Sequence, residues 1–96
     1  MREVLFARRA ILTRPRPGDE EALALVSEEA ARLLREAGPE AVAYVLRDGA
    51  GHPVGALLYR AGRVRGAARD EALLADGRRA LIRALEAEGK EVEGEG

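Results

Sequence analysis

Ala41-Val42-Ala43-Tyr44-Val45-Leu46-Arg47, the connector Asp48-Gly49-Ala50-Gly51-His52-Pro53, and Val54-Gly55-Ala56-Leu57-Leu58-Tyr59-Arg60 decide the fold of this chain. Val42, Tyr44 and Leu46 fall at every second position and so share one face of a pleated strand. A connector of glycine, aspartate and proline between two apolar runs predicts a β-hairpin. The alternate positions, Ala41, Ala43 and Val45, are also apolar. In the second run Gly55, Leu57 and Tyr59 oppose Val54, Ala56 and Leu58, again without a polar face. A sheet with one solvated face alternates apolar with polar residues, so the second face here needs a cover. A second protomer laid on it with two-fold symmetry supplies one, and a homodimer is expected.

Working outward, Ala61-Gly62 turns the chain into a short strand, Arg63–Ala68. Upstream, Val4–Thr13 reads as a first strand in which Arg8-Arg9 marks an edge or a bulge. Two prolines in Thr13-Arg14-Pro15-Arg16-Pro17-Gly18 end it. A helix follows, capped by Asp19, with Glu20 and Glu21 at its positive end. Its stripe is Leu23, Val26, Ala30, Leu33, Leu34 and Ala37, with a Glu28–Arg32 pair opposite and Ser27 in mid-helix. Gly38-Pro39 stops it. A last helix is expected over Asp70–Glu88, with Leu74, Leu81 and Leu85 as its buried line and Ile82 beside it. Gly77 within it marks a break or close packing. Lys90–Gly96 is an acidic tail or an edge strand. The order β-α-β-β-(β)-α-(β) predicts one α+β domain over residues 1–89. Its architecture is a ferredoxin-like two-layer sandwich, an antiparallel sheet with both helices on one face.

Composition narrows the chemistry. The 96 residues include no cysteine, tryptophan, asparagine or glutamine, and one each of histidine, serine and threonine. Neither a disulfide framework nor a thiolate metal site is possible, and no cofactor is expected. Fifteen arginines face one lysine, Lys90, which with the missing amides suits a GC-rich genome and a thermophile-like composition. The net charge of −1 supplies no global field for nucleic acid or anionic lipid. No apolar run approaches the roughly 20 residues of a membrane span or forms a signal peptide, so a cytoplasmic location is expected.

The entry Arg14-Pro15-Arg16-Pro17-Gly18-Asp19-Glu20-Glu21, the long helix and the hairpin together resemble the dimeric α/β-barrel group, which includes the antibiotic-biosynthesis-monooxygenase-like proteins. The likeness covers most of residues 3–88. It implies a homodimer whose sheets face each other around a cavity, and a cofactor-free enzyme as one possible activity. Oxygenases of that group place Asn, Trp or His in the cavity, and Asn and Trp are absent here. Residues 21–88 also resemble the double-stranded-RNA-binding domain. The matching pieces are Gly49-Ala50-Gly51-His52-Pro53, Arg63-Val64-Arg65-Gly66 and the alanine-rich helix from Asp70. That resemblance puts His52 in the minor-groove loop, but the helix opens Arg69-Asp70-Glu71 where the family carries basic residues. Nucleic acid is therefore not the expected partner.

The candidate ligand-binding residues are His52, Tyr44, Tyr59 and Arg60. Arg63 and Arg65 at the hairpin, with Arg78, Arg79 and Arg83 on the last helix, form a candidate anion or partner patch. No catalytic or metal-ligating residue is singled out. A lone histidine without placed carboxylates makes no zinc site, and Ser27 in a helix is no nucleophile. The expected function is a non-catalytic binding or assembly module.

Overall fold

The computed structural model describes residues 1–92. The elements are β1 (Val4–Phe6), β2 (Ile11–Thr13), α1 (Asp19–Ala24), α2 (Glu28–Glu36), β3 (Val42–Arg47), β4 (Pro53–Arg60), β5 (Arg63–Ala68) and α3 (Glu71–Ala87). The five strands form one antiparallel sheet in the order β1-β2-β3-β4-β5. The fold is α+β, as expected, but the sheet is a run of sequential neighbours and lacks the interleaved ferredoxin-like order.

The expected first strand is a hairpin. Its ends pair as Val4↔Thr13 and Phe6↔Ile11, and the Ala7 N–H closes the turn on the Ala10 carbonyl, so Arg8-Arg9 is the turn itself. The expected first helix is two. Ser27, read from the sequence as mid-helix, is extended and caps α2, its Oγ accepting from the Ala30 N–H at 3.2 Å. Ser27-Glu28-Glu29 carried that signal, a capping hydroxyl followed by acids in the first turn. Val26, expected in the stripe, is exposed at the break. Arg35, in place of Arg32, bridges Glu28 and Glu20. Asp19 is the first residue of α1 and the cap position belongs to Gly18 in left-handed geometry.

The helices do not share a face. Cross-strand pairs set Leu12, Tyr44, Leu46, Leu57 and Val64 on one side of the sheet, where they pack with Leu73, Leu81 and Leu85 of α3. Ala56 and Ala67 point the other way, into Leu23, Ala30, Ala31 and Leu33 of α1 and α2. This corrects the two-layer expectation. Both faces of the hairpin are apolar because both are covered by helices of the same chain. The uncovered face that called for a second protomer is absent.

Two local features sharpen the packing. The register shifts between Leu46 and Arg47, whose partners are Gly55 and Pro53, so Val54 has no partner on β3. This β-bulge turns Val54 into the α3-side core. Gly77 breaks nothing: a Cβ there would lie 2.8 Å from Leu46 Cδ1 and 3.0 Å from Leu57 Cδ1, so it marks a close approach of α3 to the sheet. Asp70 caps α3 as expected, accepting from the Leu73 N–H at 3.0 Å, and Leu73 replaces Leu74 in the buried line. Residues 90–92 are not in a strand, and 93–96, the rest of the expected tail or edge strand, lie outside the described residues.

The β4–β5 turn holds a stability reserve. Ala61 and Gly62 both have positive φ, 53° and 82°. Two-residue turns of this kind favour Asn-Gly, because left-handed geometry costs an alanine about 1–2 kcal/mol. We expect Ala61→Asn to stabilise the domain by about 1 kcal/mol, raising Tm by roughly 4–8 °C. Thermal unfolding followed by circular dichroism checks it; an unchanged or lower Tm contradicts the reading.

Candidate functional site

The sequence-predicted ligand set does not converge. His52 is 77% exposed in the β3–β4 turn, its Nδ1 3.9 Å from Asp48 Oδ2. Asp48 organises that turn by accepting the N–H groups of His52 and Ala50. Those bonds, the His52 one foremost, hold its carboxyl below the ordinary aspartate value. Tyr44 is fully buried and donates its hydroxyl to the Arg2 carbonyl. Burial raises its pKa, while the nearby Arg14 charge, 5.0 Å from the ring centroid, works against the shift. Tyr59 lies diagonally from Tyr44 on the same face and donates to the Glu91 carbonyl at 2.8 Å. Both hydroxyls are thus spent on backbone. Arg60 stands at the far end of β4 from His52, about 26 Å away at strand rise. The enzyme reading needs histidine, tyrosine and arginine around one cavity. With Arg60 at the far end of β4 from His52, these candidates do not surround one cavity. The RNA reading needs Arg60, Arg63, Arg65, Arg69 and His52 on one surface with little acid between them; Arg60, Arg63 and Arg65 gather at one end of the β4–β5 edge, and His52 stands beside Asp48 at the other end of β4.

The arginine patch divides. Arg78 turns back to the sheet, donating to the Val64 carbonyl at 3.2 Å. Arg79 pairs with Asp76 at 2.8 Å, and Arg9 reaches the same carboxylate at 3.1 Å from the β1–β2 turn. The Asp76 side chain is only 1% exposed, so this bridge pins the turn to α3. Arg83 points into a trough along the β1–α3 seam. Arg63 and Arg65 belong to the opposite edge of the sheet. There Arg60 pairs directly with Arg63, and Leu58 with Arg65. These residues, with Glu36 and Ala61, line a hollow of about 200 Å³.

The trough is the larger feature. Arg2, Leu5 and Phe6 form one wall; Ala80, Arg83, Ala84, Ala87 and Glu88 form the other, around about 480 Å³. A second hollow of about 340 Å³, lined by Phe6, Ala7, Arg8, Asp76, Arg79 and Arg83, continues it past Phe6 and Arg83. Its acids are engaged, Asp76 by two arginines and Glu88 by the Met1 amine at 3.6 Å. Arg2, Arg8 and Arg83 therefore leave the rim positive over an alanine and leucine floor. Phe6, the chain's one phenylalanine, is 74% exposed at this edge. Sequence reasoning placed Arg79 and Arg83 in one patch but missed Arg2, Leu5 and Phe6. Only pairing of β1 with β2 brings the N-terminal wall against α3.

Among the described residues, no helix is long and apolar enough to cross a membrane, and no group of three or more His or acidic side chains is placed to hold a metal ion. Comparison with family models, with curated proteins and with solved structures gave no match.

Proposed function

We propose that this protein is a non-catalytic binding module that presents the β1–α3 trough to an acidic, partly apolar polypeptide segment. The observation that carries the reading is the trough's composition: an apolar floor under a net-positive arginine rim, beside an exposed phenylalanine. Aromatic and arginine side chains dominate binding energy at protein interfaces, and an exposed apolar groove with a charged rim is a common form of such a site. The dispersal of His52, Tyr44, Tyr59 and Arg60 favours this reading over the enzyme alternative.

The test uses a fluorescent amphipathic peptide of glutamate and leucine, with lysine–leucine and serine–leucine peptides as controls. The glutamate peptide should bind and weaken as salt is raised. Arg83→Glu should weaken it at least tenfold, about 1.4 kcal/mol, and Phe6→Ala should weaken it less. Equal binding of the lysine peptide, or no response to Arg83→Glu, overturns the proposal.

A further inference from the structure

We infer that the occupant of the β1–α3 trough is the α1–α2 corner of a second copy of this chain, so that copies join head to tail; the inference rests on the trough reading above. The large apolar side chains that stand exposed among the described residues are Phe6, Leu25 and Val26. They fall at two places. Phe6 flanks the trough, and Leu25 and Val26 form the break between α1 and α2, where Leu25 is 87% exposed. The backbone fixes them there. Leu25 N–H donates to the Ala22 carbonyl, and the N–H groups of Val26 and Ser27 both donate to that of Leu23. This closing turn buries Leu23 and leaves Leu25 and Val26 outside. Adjoining apolar side chains left in water mark an interaction surface.

The two places carry opposite charge. Glu20, Glu21, Glu28 and Glu29 flank the Leu25–Val26 step, and no basic residue occurs from Gly18 to Ala31. Glu21 precedes Leu25 by one helical turn and shares its face. Arg35 engages Glu20 and Glu28, while Glu21 and Glu29 stand exposed. Arg2, Arg8 and Arg83 rim the trough over Leu5 and the alanines of α3. An acidic corner with a protruding leucine thus meets a basic groove with an apolar floor. The corner cannot reach its own trough, because α1 and α2 pack on one side of the sheet through Ala56 and Ala67 and α3 packs on the other. The contact joins two different surfaces, a heterologous arrangement that repeats until it closes into a ring or extends as a filament. A corner seated in a groove buries an area at the low end for interfaces, so the association is weak and concentration-dependent.

The experiment is sedimentation velocity of the full chain from micromolar to millimolar concentration. The wild type should pass from monomer through dimer to larger species, and added salt should reverse the growth. Arg83→Glu, in the trough, and Leu25→Arg, at the corner, should each weaken self-association at least tenfold. Both side chains are exposed, so the fold tolerates the changes, and unchanged circular dichroism checks that. Mixed in equal amounts, the two variants should form a dimer that grows no further, since each pair keeps one working trough and one working corner. A wild type that stays monomeric at millimolar concentration, a wild-type dimer that never grows, or a variant mixture that stays monomeric overturns the inference. If the wild type stays monomeric while the glutamate–leucine peptide still binds, the trough keeps its proposed role and the second copy alone is ruled out as its occupant.

Discussion

Replacing Arg47 by methionine should lower the unfolding free energy by about 3–5 kcal/mol, the usual cost of orphaning a buried charge. Arg47 lies buried on β3 facing α1, where Nη2 donates to Asp19 Oδ2 at 2.7 Å and Nε donates to Thr13 Oγ1 at 2.9 Å. Nη1 reaches the Gly51 carbonyl at 3.3 Å. Asp19 also accepts the Arg16 N–H at 2.7 Å. One guanidinium thus joins β2, the proline-rich entry, the start of α1 and the β3–β4 turn. Against a total stability of roughly 5–15 kcal/mol for a small domain, its loss is severe. Asp19→Leu alone should be comparably damaging. The double variant Arg47→Met, Asp19→Leu should recover part of the loss, since no buried charge is then left unpaired. Urea unfolding of the four proteins measures the coupling. Additive single-variant losses would show that the two side chains act independently, contrary to the geometry.

The second large effect is expected from a single methyl group. Gly55→Ala should cost about 3 kcal/mol, at the upper end of what overpacking produces. A Cβ at Gly55 would lie 2.6 Å from Ala68 Cβ, 2.8 Å from the Ala67 carbonyl oxygen and 3.0 Å from Ala68 Cα. These are backbone or backbone-fixed atoms of the neighbouring strand, so relief requires moving β5 itself. Gly77→Ala provides the contrast. Its Cβ would press on the methyl ends of Leu46 and Leu57, which rotate more readily, and alanine gains about 1 kcal/mol of helix propensity over glycine. The net loss there should be about 1 kcal/mol. Chemical denaturation of both variants tests the ranking, and Gly77→Ala proving the worse of the two would contradict it.

Much of the local structure was legible because it is encoded locally. The β3–β4 hairpin lies within a residue of its expected bounds, since alternating apolar residues flank a connector of turn formers. α3 begins at the Asp70 cap and ends before Gly89, whose φ of 77° suits only a residue without a Cβ penalty. The break between α1 and α2 was written in Ser27-Glu28-Glu29, but an apolar stripe continuing through Val26 masked it. Periodicity records which residues could be buried and is silent on what covers them.

That limit decided the rest. That both faces of the central hairpin must leave water follows from residue identity alone, because Ala43, Val45, Ala56 and Leu58 are as apolar as the set they alternate with. Whether a second protomer or the chain's own helices cover the second face is a matter of long-range packing. The choice rests on close approaches such as Gly77 against Leu46 and Leu57 on one side and Ala30 and Ala31 toward Ala56 on the other. Charge followed the same rule. Arginine abundance was plain from the sequence, but only strand pairing set Arg60 against Arg63, buried Arg47 on Asp19, and left Arg83 beside Arg2 along the trough. Electrostatic meaning depends on distance and burial, and both are fixed only when strands far apart in sequence are brought into register.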